Sequence, residues 1–128
     1  METNEEYDYD LIHNNPHEMI RIGWFDDFEV CIYCNEETIP HMHLRNIYTE
    51  KECCIKLNKP EYFFHESGDY FMLSPEQKNK LMTWLNSCLE IRHKVTNAQN
   101  WVWLCDLWDL NNLDNELETW VMPDYTLL

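Results

Sequence analysis

The apolar positions of this chain fall first into short extended runs and later into helical spacing. Residues 19–25 (Met-Ile-Arg-Ile-Gly-Trp-Phe) and 29–33 (Glu-Val-Cys-Ile-Tyr) are rich in branched and aromatic side chains and flank Asp26-Asp27, whose short acidic side chains suit a tight turn. The pattern predicts an antiparallel hairpin. Residues 39–45 predict a third strand opened by Pro40, residues 52–57 a fourth, and the aromatic run Tyr62-Phe63-Phe64-His65 a fifth or its continuation. Ser67-Gly68-Asp69 then predicts a turn before residues 70–73.

Helical spacing begins at Ser74-Pro75-Glu76-Gln77. An N-cap serine, a proline at the first helical position, an acid in the first turn and glutamine at N3 together make a capping box. Leu81, Leu85, Cys88 and Leu89 continue the spacing and Arg92, His93 and Lys94 supply cations for a C-terminus, which predicts a helix over 75–94. Thr96-Asn97-Ala98-Gln99 reads as a second capping box, and Trp101, Leu104, Cys105 and Trp108 fall at i, i+3, i+4 and i+7, predicting a helix to about Leu110. Trp103, Leu107 and Leu110 form a second apolar face on it, so this helix belongs in the core or at an interface. The expected fold is α+β: an antiparallel meander of four to five short strands covered by two C-terminal helices. A chain of 128 residues fits one domain, expected over residues 19–128 behind an acidic arm of residues 1–18.

Charge changes this picture most. The formal net charge is −15. All nine Lys and Arg lie between Arg21 and Lys94, where twelve acids oppose them for a net of −3. Residues 1–20 and 95–128 carry six acids each and no base. A field of that sign disfavours direct contact with nucleic acid or an anionic membrane and favours a protein partner with a basic surface. The end of the chain adds apolar groups to its carboxylates, so Trp103, Trp108, Trp120, Tyr125, Asp114, Glu116 and Glu118 are the candidate partner-binding residues. The alternative for the tail is packing on its own domain, at about 25 cal/mol per Å² of apolar surface buried. An acidic start with no base before Arg21, and no apolar run near the roughly 20 residues of a membrane span, predict a soluble cytoplasmic protein.

Candidate chemistry is sparse. Six cysteines without a secretion signal are expected to be reduced and mostly buried. Cys31 and Cys34 match C-x-x-C, but strand alternation sends them to opposite faces, against a zinc knuckle or a redox pair. His41-Met42-His43 is the better pair. On a strand, residues two apart face the same way with Cα atoms roughly 6 to 7 Å apart, close enough to share zinc with a third ligand such as His65, Cys31 or Glu29. The competing expectation is two partly exposed histidines stacked on nearby aromatics. No catalytic residues are assigned. There is no nucleophile elbow, Walker pattern or H-E-x-x-H, and Gly23 and Gly68 are the only glycines with which to build a phosphate loop.

The segment Ile39-Pro40-His41-Met42-His43-Leu44 resembles the Pro-His-x-His strand of a family of small bacterial proteins, itself a domain of unknown function. The longer run, from Pro40 through Lys59-Pro60-Glu61-Tyr62-Phe63 to Asn100-Trp101 and Met122-Pro123-Asp124-Tyr125, is similar to hypothetical proteins of Bacteroidetes and their phages. The family's Pro-Pro-His-Phe-His is reduced here to Ile39-Pro40-His41-Met42-His43. The resemblance implies a small α+β domain, of a kind that can form one half of a two-component system, and no reaction. Three functional expectations follow. The first is a non-enzymatic acidic interaction protein, such as a phage or mobile-element accessory or inhibitor acting in the host cytoplasm. The second is a zinc domain or hydrolase-like enzyme centred on His41 and His43. The third is a homo-oligomeric structural or virion-associated subunit.

Overall fold

The computed structural model describes residues 18–34, 38–64, 71–91, 94–118 and 120–128. Four strands, β1 (Met19–Phe25), β2 (Phe28–Tyr33), β3 (His41–Asn46) and β4 (Glu52–Lys56), form one antiparallel sheet in chain order. Helix α1 (Pro75–Asn86) follows, then a two-stranded hairpin of β5 (Cys88–Ile91) and β6 (Lys94–Gln99), then helix α2 (Asn100–Asn111). Short 3-10 turns at Leu113–Asn115 and Tyr125–Leu127 close the chain. The α+β class and the four-stranded meander are those the alternation predicts. No helix among the described residues is long and apolar enough to cross a membrane.

Local chemistry explains the joints. Asp26 takes a positive φ of 52° in the β1–β2 turn, a conformation that short polar side chains tolerate. The register of β1 slips between Arg21 and Gly23, and a Cβ on Gly23 would stand 2.9 Å from the Trp84 ring, so this position admits the close approach of α1 to β1. The β3–β4 turn closes with the Asn46 amide donating to Lys51 O, while Asn46 Oδ1 accepts from the backbones of Tyr48 and Thr49. Ser74 and Gln77 make the reciprocal capping box that opens α1.

Two predicted elements differ from what forms. The helix expected over 75–94 ends at Asn86, where Ser87 turns to extended backbone at φ −78° and ψ 154° and its amide donates to Trp84 O, while polar side chains of the last turns bond back to helix carbonyls. Thr83 Oγ1 donates to Asn79 O, Asn86 Nδ2 to Met82 O, and Ser87 Oγ to Thr83 O at 2.7 Å. The Asn100 backbone amide then donates to Ser87 O at 2.8 Å and its side chain to Trp84 O at 2.7 Å, tying the start of α2 to the end of α1. The intervening chain forms the β5–β6 hairpin, so the second expected capping box lies in a strand and the N-cap of α2 is Gln99, with no side-chain cap. Arg92 and His93, assigned to a helix C-terminus, lie outside the described residues. The fifth strand reduces to a single bridge, Ile55 to Tyr62, and 71–74 form no strand; there the Leu73 amide donates to the Tyr62 hydroxyl at 3.0 Å.

One face of the sheet and the inner sides of both helices make the core, which includes Phe28, Val30, Ile32, Met42, Leu44, Ile55, Leu81, Leu85, Leu104 and Trp108. Leu107 is buried beside Trp101, Leu104, Cys105 and Trp108, so α2 is enclosed on more than one side, while Trp103 is half-buried and Leu110 exposed. The tail docks through Tyr125, which is fully buried and donates its hydroxyl to Lys56 O at 2.8 Å; Lys78 Nζ donates to the Leu128 carbonyl. The arm expected over residues 1–18 lies, apart from Glu18, outside the described residues.

Candidate functional site

Strand alternation puts Glu29, Cys31 and Tyr33 of β2, His41, His43 and Arg45 of β3, and Glu52, Cys54 and Lys56 of β4 on the side of the sheet opposite the Val30, Leu44 and Ile55 face. Cross-strand pairing of Cys31 with His43, and of His43 with Cys54, lines these three up in a row. Both histidines are buried, His41 at 0% and His43 at 3% relative exposure, which corrects the expectation of two partly exposed rings. Phe63 and Trp108 pack on His41, with ring centroids 4.6 and 5.2 Å away, and Tyr33 meets His43 edge-on at 4.6 Å.

The hydrogen bonds of the pair set their tautomers. His41 Nδ1 lies 2.7 Å from Ile39 O, a pure acceptor, so Nδ1 carries a proton and donates it. In a neutral ring His41 Nε2 is then a bare acceptor. His43 Nε2, 3.0 Å from it, must donate, which leaves His43 Nδ1 with a lone pair. That lone pair faces Cys54 Sγ at 3.3 Å and Glu52 Oε2 at 3.5 Å. The donor atoms of His43, Glu52 and Cys54 lie within 4.8 Å of one another, and among the described residues they are the group that could hold a metal. His65 lies outside the described residues, so the third ligand expected there has no placement.

Charge around the row is balanced by pairs. Buried Glu29 accepts from Arg21 Nε at 2.6 Å and has Arg45 Nη1 at 3.9 Å; Arg45 also bonds Glu50 at 2.7 Å. Burial, with Glu52 and Glu29 adding, pushes the Cys31 thiol up to about 12, and Tyr33 is raised by burial and by Cys31. Cys31 belongs to this polar row, whereas Cys34 joins the core and approaches Asn111 Oδ1 at 3.6 Å, so the C-x-x-C sulfurs do face apart. All six cysteines are free thiols, and Cys88 is the exposed one.

The candidate partner-binding residues divide. Trp108 and Tyr125 are fully buried, as core and tail anchor, and offer no ring to a partner; Trp103 is half-buried. Asp114, Glu116 and Glu118 are exposed and line an open cleft of about 620 Å³ whose other walls include Ile39, Lys56 and Lys59. Lys56 is engaged by Glu61 at 2.6 Å. Trp120, stacked edge-on against Trp101, is 43% exposed, and Leu113 and Val121 stand further out, at 70% and 73%.

Sequence reasoning missed Cys54 and Glu52 as neighbours of His43. The Asn46 turn held the signal: with Asn46 closing on Lys51, counting outward sets His43 opposite Cys54 and Arg45 opposite Glu52. No family model, curated protein or solved structure matches the chain.

Proposed function

We propose that the protein acts by binding, and that its partner is a protein presenting a lysine- or arginine-rich segment to the cleft beside Asp114, Glu116 and Glu118. The observation that carries this reading is the presence of those three exposed carboxylates in the lining of an open cleft. Residues 95–128 hold no Lys or Arg to neutralise them, and Lys56 is already paired with Glu61. Exposed Leu113, Trp120 and Val121 nearby supply apolar area for contacts that charge alone does not provide. Carboxylates spaced along such a wall can stand where phosphates would in a groove that normally holds nucleic acid. That chemistry suits an accessory or inhibitor occupying a basic site of a host protein. The resemblance of the run from Pro40 to Tyr125 to hypothetical proteins of Bacteroidetes and their phages favours a phage or mobile-element origin for it.

The test uses the full chain and a ten-residue oligolysine peptide as probe. Asp114→Asn, Glu116→Gln and Glu118→Gln together are expected to weaken binding by about tenfold, and wild-type affinity is expected to fall as salt rises. A control triple variant, Asp27→Asn, Glu50→Gln and Glu76→Gln, removes the same formal charge from exposed sites elsewhere and is expected to stay within about twofold. Equal weakening by both triples would mean that net charge alone attracts the probe, and the cleft would lose its role.

A further inference from the structure

We propose that His43 Nδ1, Cys54 Sγ and the Glu52 carboxylate are the protein ligands of a divalent transition-metal ion of the zinc class, and that His41 positions His43 for it. Three observations converge on this. First, the three donors lie within 4.8 Å of one another, and the two edges that meet at His43 match a tetrahedral ion. Bond lengths of about 2.3 Å to sulfur, 2.0–2.1 Å to nitrogen and 2.0–2.2 Å to oxygen imply ligand-to-ligand edges of about 3.4–3.6 Å. The His43 nitrogen lies 3.3 Å from sulfur and 3.5 Å from the carboxylate oxygen.

Second, the proton inventory directs a lone pair at the ion's position. The Ile39 carbonyl holds the proton on His41 Nδ1, His41 Nε2 accepts from His43 Nε2, and the His43 Nδ1 lone pair is directed toward Cys54 and Glu52. In the metal-free chain that lone pair accepts from the Cys54 thiol at 3.3 Å, so exchanging the thiol proton for a cation would gather the nitrogen, the thiolate and the Glu52 carboxylate around one ion in the gap between them. Metal-ligating histidines characteristically donate their other N–H to a second group that fixes tautomer and ring orientation, which is the part His41 plays here.

Third, the surroundings suit an ion held for affinity. His43 and Cys54 are buried, at 3% and 2%, while the Glu52 side chain is 32% exposed and gives the gap a solvent-facing side. Imidazole, thiolate and carboxylate together match a borderline-soft ion such as Zn²⁺ or Co²⁺ better than Mg²⁺ or Ca²⁺. Binding deprotonates Cys54 and releases one proton to solvent, with no change of oxidation state. Three protein ligands leave one tetrahedral position for a solvent molecule.

The competing occupant of the gap is a proton, which would make His43 an imidazolium hydrogen-bonded between His41 and Glu52 and leave no need for an ion. The deciding experiment titrates the full chain, purified without an affinity tag in metal-free buffer, with Co²⁺ alone and follows its absorption. The expected result is one equivalent bound, with tetrahedral d–d bands and a sulfur-to-cobalt charge-transfer band, all abolished when Zn²⁺ is added. Cys54→Ser should lose the charge-transfer band. Glu52→Gln, at a part-exposed position, should keep the fold by far-UV circular dichroism and weaken binding by at least about tenfold. His41→Phe should keep the band but weaken binding by about 10- to 100-fold, as loss of an orienting partner does. Cys88→Ser, at an exposed thiol elsewhere, should change nothing. Failure of the wild-type chain to take up an equivalent of Co²⁺ would overturn the proposal, and so would uptake that Cys54→Ser and Glu52→Gln leave unaltered.

Discussion

Two polar regions of this molecule are built on opposite terms. The row on the outer face of the sheet, Cys31, His43 and Cys54 with His41 and Glu29 beside it, is removed from water, so its polar groups are held by specific partners at fixed distances. The acidic stretch after α2 keeps Asp114, Glu116 and Glu118 in solvent beside a cleft, where carboxylates cost little to maintain. Buried polar groups couple strongly to stability and to one another, because a missing partner exposes the full desolvation penalty. Exposed carboxylates couple weakly to stability and strongly to association, through a field that salt screens. On the two proposals, an ion would be held in the first region and a partner recruited by the second.

Breaking the buried row should have the larger effect on stability. His43→Ala removes a donor from His41 Nε2 and an acceptor from Cys54 and opens a cavity, and is expected to cost about 2–4 kcal/mol in urea unfolding of the metal-free chain. A cost under about 0.5 kcal/mol would show that the row is not the cooperative unit its distances describe.

Alkaline pH probes the thiols on both sides of the sheet. Burial raises Cys31 and Cys53 from 9.0 to about 12, so the native state keeps protons that the unfolded state releases. The stability contribution is complete below pH 9 and is lost as pH rises through the interval up to about 12. The fall should be on the order of 1 kcal/mol per pH unit for each thiol, seen as a dropping urea midpoint, with little change from pH 7 to 8. A midpoint that rose above pH 9 would contradict that sign.

The same burial predicts selective labelling. At pH 8 a thiol reagent should modify Cys88 within the native chain and reach the other five only on unfolding. Smallest of all, the triple change Asp114→Asn, Glu116→Gln and Glu118→Gln should shift unfolding by no more than about 0.5–1 kcal/mol, since all three are exposed. A larger loss would mean that the cleft acids hold the fold and are not free for a partner.

The two regions were unequally legible in the amino-acid sequence. Strands β1 to β4 followed from short β-rich runs and turn residues, and the start of α1 from its capping box, because each signal is local. The β5–β6 hairpin was not legible: Cys88 and Leu89 continue the helical spacing of Leu81 and Leu85, while Leu89, Ile91 and Val95 serve equally as strand positions. What marks the end of the helix is the extended backbone at Ser87 and the tie from Asn100 to Trp84 and Ser87, a tertiary contact. That His41 and His43 share a side was readable from a period of two; that Cys54 and Glu52 meet them depends on strand register, which resides in the Asn46 turn. Charge segregation was plain in the sequence, yet burial of Trp108 and Tyr125 withdrew two of its aromatic candidates. Those residues sit where the helix and tail needed anchors.

The most direct test of the division between the regions is oligolysine binding by the wild-type chain, the cleft triple variant and the control triple variant across a salt series. Selective loss in the cleft variant, with a shallower salt dependence than wild type and an unchanged unfolding midpoint, is the predicted result. Equal affinity and equal salt dependence in the two variants would contradict it.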